Sequence, residues 1–208
     1  MKSMISQLKQ ALNRNNIALD AVSCEKLVHY LNAMLKWNKV FNLTSITHRD
    51  DMIYLHFIDS LLIAPYIHGK TCLDVGTGAG LPGIPLAIML PETKWVLLDK
   101  AGKKARFLLQ MQVELGLNNI SIAESRVEQF HPDIRFDSIV SRAFGSLRLL
   151  TESTHHLLAN EGRWLLMKGK YPEDELNDVP SFVKVDQVIA IHMQGRTIER
   201  HLVNCIRG

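Results

Sequence analysis

No apolar run in this 208-residue chain approaches the roughly 20 residues that a membrane-spanning helix requires. Cysteine is scarce: Cys24, Cys72 and Cys205 are odd in number and far apart in sequence. That excludes a disulfide framework, and the three read as free buried thiols in a reducing cytosol. The nine histidines, His155-His156 included, show no ligand spacing with cysteine or carboxylate, so no metal site is expected. Charge of one sign is also lacking. A net charge of +3 permits an RNA partner without arguing for one. There are no repeats and no low-complexity tract. Met4, Ile5, Leu8, Ala11 and Leu12 recur at helical spacing without a continuous apolar core, so the N-terminal stretch reads as an amphipathic helix and not as a signal peptide. Asn42-Leu43-Thr44 matches a glycosylation acceptor, but the match carries no weight in a chain that reads as cytoplasmic.

What is present is enough apolar material, 47% of residues, to bury a core. Residues 1–67 carry helical patterning only, as in Leu27, Val28, Leu31, Met34 and Leu35, and again in Ile53, Leu55, Phe57, Ile58, Leu61 and Leu62. Between these patterns, KWNKVFNLTSITHRDD has no clean period. From residue 71 the texture becomes strand–helix alternation, with strands expected at 71–75, 95–99, 119–125, 136–143 and 162–169. Helices are expected at 82–90, 104–116 and 146–158. Such alternation implies βαβ units and a parallel sheet. Residues 181–193 and 197–206 alternate with period two around Gln194-Gly195, which predicts an antiparallel hairpin at the sheet edge. The expected division is a helical region, 1–67, and a Rossmann-like domain, 68–208, with a mostly parallel seven-stranded sheet.

The stretch CLDVGTGAGLPG, residues 72–83, places Gly76, Gly78 and Gly80 directly after the first strand. In open α/β sheets a ligand sits beyond the carboxyl ends of the strands, so this loop is the expected contact. The dinucleotide pattern G-x-G-x-x-G would need glycine where Leu81 stands, which disfavours a nicotinamide-dependent oxidoreductase. Asp74 beside the loop suits a cationic ligand better than a diphosphate. Asp99, at the end of the second strand, is placed to accept hydrogen bonds from ribose hydroxyls. An adenosine carrying a cation and no phosphate describes S-adenosylmethionine, and hence a class I S-adenosylmethionine-dependent methyltransferase.

The segments WNKVFNLTSI, HFIDSL, LDVGTGAGLPGIPLAI, LLDKAGKKARFL, ESRVEQF, VSRAF and LMKG resemble, in order and spacing, the bacterial 16S ribosomal RNA guanine-N7 methyltransferases, formerly called glucose-inhibited division protein B. The resemblance covers about residues 20–206. It implies methyl transfer to N7 of a guanine in the 530 loop of 16S ribosomal RNA, free or in a small subunit or assembly intermediate. It also implies cofactor contacts at Gly76, Leu81, Val127, Glu128 and Arg142. Gly76 would admit the methionine end, Leu81 would supply an apolar wall, and backbone groups at Val127 and Glu128 would read the adenine edge.

Guanine N7 carries a lone pair and no proton at neutral pH, so no catalytic base is expected. The chain agrees: VSRAF stands where enzymes acting on exocyclic amines carry D/N-P-P-Y. Arg142, Phe144 and Lys168 are the base-orienting candidates. RNA contacts are expected from Lys100, Lys103, Lys104 and Arg106, from Lys36, Lys39, His48 and Arg49, and from Lys168 and Lys170. His56 reads equally as structural or as an RNA contact. A monomer is expected. The competing readings are a non-catalytic RNA-binding or ribosome-assembly protein on the same fold and a small-molecule methyltransferase.

Overall fold

The computed structural model describes residues 2–208; Met1, the first residue of the expected helical region, lies outside them. Helix α1 (Lys2–Arg14) buries Met4, Leu8, Ala11 and Leu12, the stripe expected from their spacing. Helix α2 (Ala21–Phe41) starts at Asp20, whose carboxylate accepts from the Ser23 amide at 2.6 Å, and stops at Asn42 in the left-handed region. After the connection 42–48 the chain forms one helical stretch of mixed character. It consists of α3 (Arg49–Met52), a π-helical turn (Ile53–Ile58) and α4 (Asp59–Leu61). Helical apolar spacing predicts the stretch but not its widened middle.

Seven strands follow: β1 (Thr71–Val75), β2 (Lys94–Asp99), β3 (Ile120–Glu124), β4 (Phe136–Arg142), β5 (Leu158–Lys168), β6 (Val183–Ala190) and β7 (His201–Arg207). They form one sheet in the order β3-β2-β1-β4-β5-β7-β6. Only β7 runs against its neighbours, pairing Trp164 with Cys205 on one side and Val183 with Arg207 on the other. Helices α5 (Gly83–Met89), α6 (Gly102–Glu114) and α7 (Leu147–Thr154) make the crossovers, and α8 (Glu173–Leu176) lies between β5 and β6. No described helix is long and apolar enough to cross a membrane.

Several boundaries differ from expectation: β7 begins at His201 and not at 197, β6 spans Val183–Ala190 and not 181–193, and the junction of α7 and β5 is displaced. Helix α7 ends at Thr154 and not at 158, and β5 begins at Leu158 and not at 162. The Phe136 amide bonds the Leu157 carbonyl at 2.8 Å and Leu158 pairs with Phe136, so the backbone there joins the ladder before the helix can extend. The register then shifts, and Arg163 comes opposite Ser138. The predicted hairpin is present, but Gln194-Gly195 lies within a longer connection, closed by the Ile191 amide on the Arg200 carbonyl at 2.8 Å.

Strand alternation divides the core between the two sheet faces. Cys72, Trp95, Leu97, Val140 and Leu165 face α1, α2, α5 and α6, while Leu73, Val75, Leu98, Ile139 and Trp164 face α7. The first cluster runs without a break from the N-terminal helices to the crossovers. Tyr30 of α2 stacks on Phe57 of the π-turn at 5.5 Å and on Phe107 of α6 at 6.1 Å, ring centre to ring centre. The strand order reverses between β1 and β4, where β1 has β2 on one side and β4 on the other. A crevice is expected at the carboxyl ends of those two strands.

Candidate active site

Two clefts open there. The first, about 320 Å³, is lined by Val75 at the end of β1 and Gly76 after it, by Leu98 and Asp99 of β2 and Lys100 after them, and by Lys104 from α6. Ser125–Glu128 after β3 and Ala143 and Phe144 after β4 complete it. The second, about 470 Å³, lies on the other side of β4 and includes Thr44, His56, Asp59, Arg142, Lys168 and Arg200. Ala143 lines both. It adopts a left-handed backbone, φ 61°, and the side chains on either side of it, Arg142 and Phe144, line different clefts. The two base-orienting candidates that flank it are thereby separated.

In the first cleft, Gly76 has φ 69°, and a Cβ there would come within 2.9 Å of a Phe144 ring carbon. The bare backbone is what keeps the passage between them open. Asp99 accepts from the Gly78 amide at 2.9 Å through Oδ2 and from the Ala101 amide at 3.0 Å through Oδ1. One carboxylate thus fixes the glycine loop to the tip of β2 and makes an Asx turn of its own. Lys104 approaches Asp99 at 3.4 Å, so it belongs to the crevice and not only to an outer basic face. Val127 is buried at the crevice wall and Glu128 is exposed.

Asp74 is not in the crevice. It is fully buried under the loop, where Oδ2 accepts from the Thr77 hydroxyl at 2.6 Å and from the Gly83 amide at 2.8 Å. Its Oδ1 has no hydrogen-bond partner among the described residues. Burial pushes its pKa up to about 6, against the pull of those two donors. Gly80, φ 99°, makes the bend over Ile84, and Leu81 packs in the core beside it; neither lines the crevice. From above, the Tyr30 hydroxyl donates to the Ala79 carbonyl at 2.5 Å, so α2 anchors the loop. Burial raises that phenol well above 10, and it stays a donor.

The second cleft is built around Arg142. Its Nη1 donates to the Leu55 carbonyl at 2.9 Å and lies 3.5 Å from Asp59, and its Nη2 is 3.4 Å from His56 Nδ1. On its other side His56 reaches the Thr44 hydroxyl at 2.9 Å through Nε2. Its Nδ1 also lies 3.2 Å from the Leu55 carbonyl, so that nitrogen stands between a carbonyl acceptor and the Arg142 donor. Burial, reinforced by Arg142, lowers its pKa to about 4 and keeps the ring neutral. Asp59 also accepts from Arg200 Nε at 2.9 Å. Burial raises its pKa against the pull of Arg200 and Arg142.

Lys168 lines this cavity but is not free. Its ammonium donates to the Gly145 carbonyl at 2.7 Å and to both Glu175 oxygens, at 2.9 and 2.8 Å. It ties the loop after β4 to α8. The other expected RNA contacts, Lys36, Lys39, His48, Arg49, Lys100, Lys103, Arg106 and Lys170, are exposed. Sequence reasoning missed Tyr30, Asp59 and Arg200 as site residues, and no local spacing marks them. Among the described residues no group of three or more His, Cys, Asp or Glu could hold a metal.

A seven-stranded sheet with a single reversed strand, and a crevice at the glycine loop, define the class I S-adenosylmethionine-dependent methyltransferase fold. Solved structures agree. The glycopeptide N-methyltransferase MtfA complexed with S-adenosylhomocysteine matches with a TM-score of 0.62 at 12% identity, over 74% of this chain and 87% of that one. A SAM-dependent methyltransferase from Aquifex aeolicus matches with a TM-score of 0.57 at 20% identity, over 74% and 92%. The family model for GidB, rRNA small subunit methyltransferase G, matches residues 23–204, and the chain belongs to that family. Relatives named ribosomal RNA small subunit methyltransferase G include one from Hydrogenovibrio crunogenus, 48% identical over 86% of this chain and 82% of its own. Another, from Escherichia fergusonii, is 44% identical over 96% and 97%.

Proposed function

We propose that the protein transfers a methyl group from S-adenosylmethionine to N7 of a guanine in the 530 loop of 16S ribosomal RNA, acting as a cytoplasmic monomer. The observation that carries this reading is the meeting of two clefts at Ala143, one suited to a cationic nucleoside and the other to a base, in a chain of this family. The first cleft fits the cofactor on three counts. Gly76 leaves a passage that any Cβ would narrow, Asp99 presents a carboxylate at the β2 tip, and the glycine loop is braced from below by a second carboxylate with an unpartnered oxygen.

When bound there, S-adenosylmethionine supplies a methyl carbon already activated by its sulfonium. The chain's own work is positioning. Asp99 holds the loop and offers its carboxylate to ribose hydroxyls, and Val127 and Glu128 offer backbone groups to the adenine edge. Gly76 admits the methionine end, with Asp74 and Leu81 supporting the loop from the core. Guanine N7 needs no proton removed, and His56, held neutral and hydrogen-bonded on both sides, is a brace for Arg142. Holding the nucleophile in line can supply on the order of 7–11 kcal/mol. In this reading residues 1–67 form a helical region that supplies Leu55, His56 and Asp59 as a wall for the sheet domain, 68–208. RNA approaches over the exposed lysines of α2 and α6.

The test is addition of purified protein and methyl-labelled cofactor to small-subunit RNA, free or in particles, from cells lacking this protein, followed by mass mapping. One N7-methylguanine in the 530 loop is expected. Label elsewhere, or none with either substrate, would refute the reading.

A further inference from the structure

The larger cavity has a composition that the methyl-transfer reading does not yet explain residue by residue. Ile46, Leu55 and Met167 give it apolar surface, Thr44 and Ser45 give it hydroxyls, and three cations line it. Lys168 is spent on Gly145 and Glu175, and both terminal nitrogens of Arg142 are engaged by Leu55 and His56. Arg200 differs. Its Nε is on Asp59 at 2.9 Å and its Nη1 on the Glu199 carbonyl at 2.8 Å, while Nη2 makes no hydrogen bond among the described residues.

Guanine presents O6 beside N7 on one edge, and an arginine fork normally takes both. A methyl acceptor cannot tolerate that, because a donor on N7 occupies the lone pair that must attack. The site therefore needs one donor for O6 and none for N7. An arginine with two of its three nitrogens tied back meets that need, and adenine, which carries an amino group in place of O6, offers Nη2 no acceptor. Resting on the reading above, we infer that this cavity receives the target guanine and that Arg200 reads O6 through Nη2. Asp59 is the positioning residue: it holds Arg200 by Nε and faces Arg142 with its other oxygen, which fixes the spacing of the two guanidinium groups. The apolar side chains of Ile46 and Met167 provide surface for the ring faces.

The experiment compares guanine with 2-aminopurine, which keeps N7 and the 2-amino group but lacks O6, at the methylated position of small-subunit RNA. The native protein is expected to favour guanine by about tenfold or more in kcat/KM. In Arg200→Ala the ratio falls to near unity. Arg200→Lys, which keeps a cation for Asp59 but has no Nη2, shows the same collapse. Asp59→Asn lowers the ratio while S-adenosylmethionine affinity, followed by calorimetry, stays within about twofold. A native preference for guanine that survives unchanged in folded Arg200→Ala or Arg200→Lys overturns the inference. Failure of the native protein to methylate guanine at all is the separate result that defeats the underlying reading.

Discussion

All residues lining the crevice at the glycine loop fall between Val75 and Phe144, and all but Lys104 of α6 lie at or just after the ends of four strands. The neighbouring cavity is gathered from 44–59, 142–169 and Arg200. The first is shaped chiefly by backbone: positive φ angles at Gly76, Gly78 and Gly80, and amides held by Asp99 and Asp74. The second is shaped by side chains whose partners are as many as 141 positions away. A site made by local conformation tolerates change in distant parts of the chain. One made by long-range ion pairs does not.

The sharpest way to break that contrast is Asp59→Ala. It strands Arg142 and Arg200, each about a quarter exposed or less, without their shared carboxylate. Urea denaturation at neutral pH should show a loss of about 3–5 kcal/mol. A loss near zero would mean that the cavity does not depend on this pairing.

Acid should act next most strongly, again on the cavity side. His56 has its pKa lowered to about 4 from an ordinary 6.5, so the unfolded chain binds the extra proton first. Its contribution is present above pH 6.5 and is lost as pH falls towards 4, about 3 kcal/mol in all. A His56→Asn protein should lose correspondingly less stability between pH 7 and pH 4 than the native one. Asp59 and Asp74, whose raised values act in the opposite direction, are present in both proteins and cancel in the difference.

On the crevice side the effects should fall on ligand affinity. Asp99→Ala removes the carboxylate proposed to hold ribose and frees the Gly78 amide, and calorimetry should show S-adenosylmethionine binding weakened by about 1–3 kcal/mol. Undiminished affinity would show that the backbone alone makes the site. The smallest effect is expected from Tyr30→Phe, which removes the hydroxyl bonded to Ala79. A stability loss of about 1 kcal/mol, with a modest loss of cofactor affinity, would show that the loop is not purely local in origin.

The same contrast explains what could be read in advance. The central strands β1 and β4 were legible because their apolar runs are buried on both faces. Asp99 was legible because its distance from Gly76 is set by one βαβ unit. Asp59 and Arg200 were not, since nothing near either residue marks the other. The π-helical turn was hidden too: its apolar residues keep helical spacing, while the widened backbone accompanies a Leu55 carbonyl that accepts from Arg142. Lys168 lines the larger cavity at the end of the fifth strand, but its partner Glu175 sits in a short helix with no periodic signal. Asp74 shows a further limit. Spacing located it beside the loop but could not tell whether the carboxylate turned outward to a ligand or inward to Thr77 and Gly83.

The insertion of β7 between β5 and β6 has a consequence for synthesis. During translation the residues that line the crevice all leave the ribosome well before β7 does. In that interval β5 has a bare edge of unpaired amides and carbonyls on the side that Leu202 to Cys205 will later cover. Such an edge invites pairing with another chain. Arg200 arrives immediately ahead of the strand that covers that edge, so the larger cavity receives its last lining residue after the crevice already has all of its own.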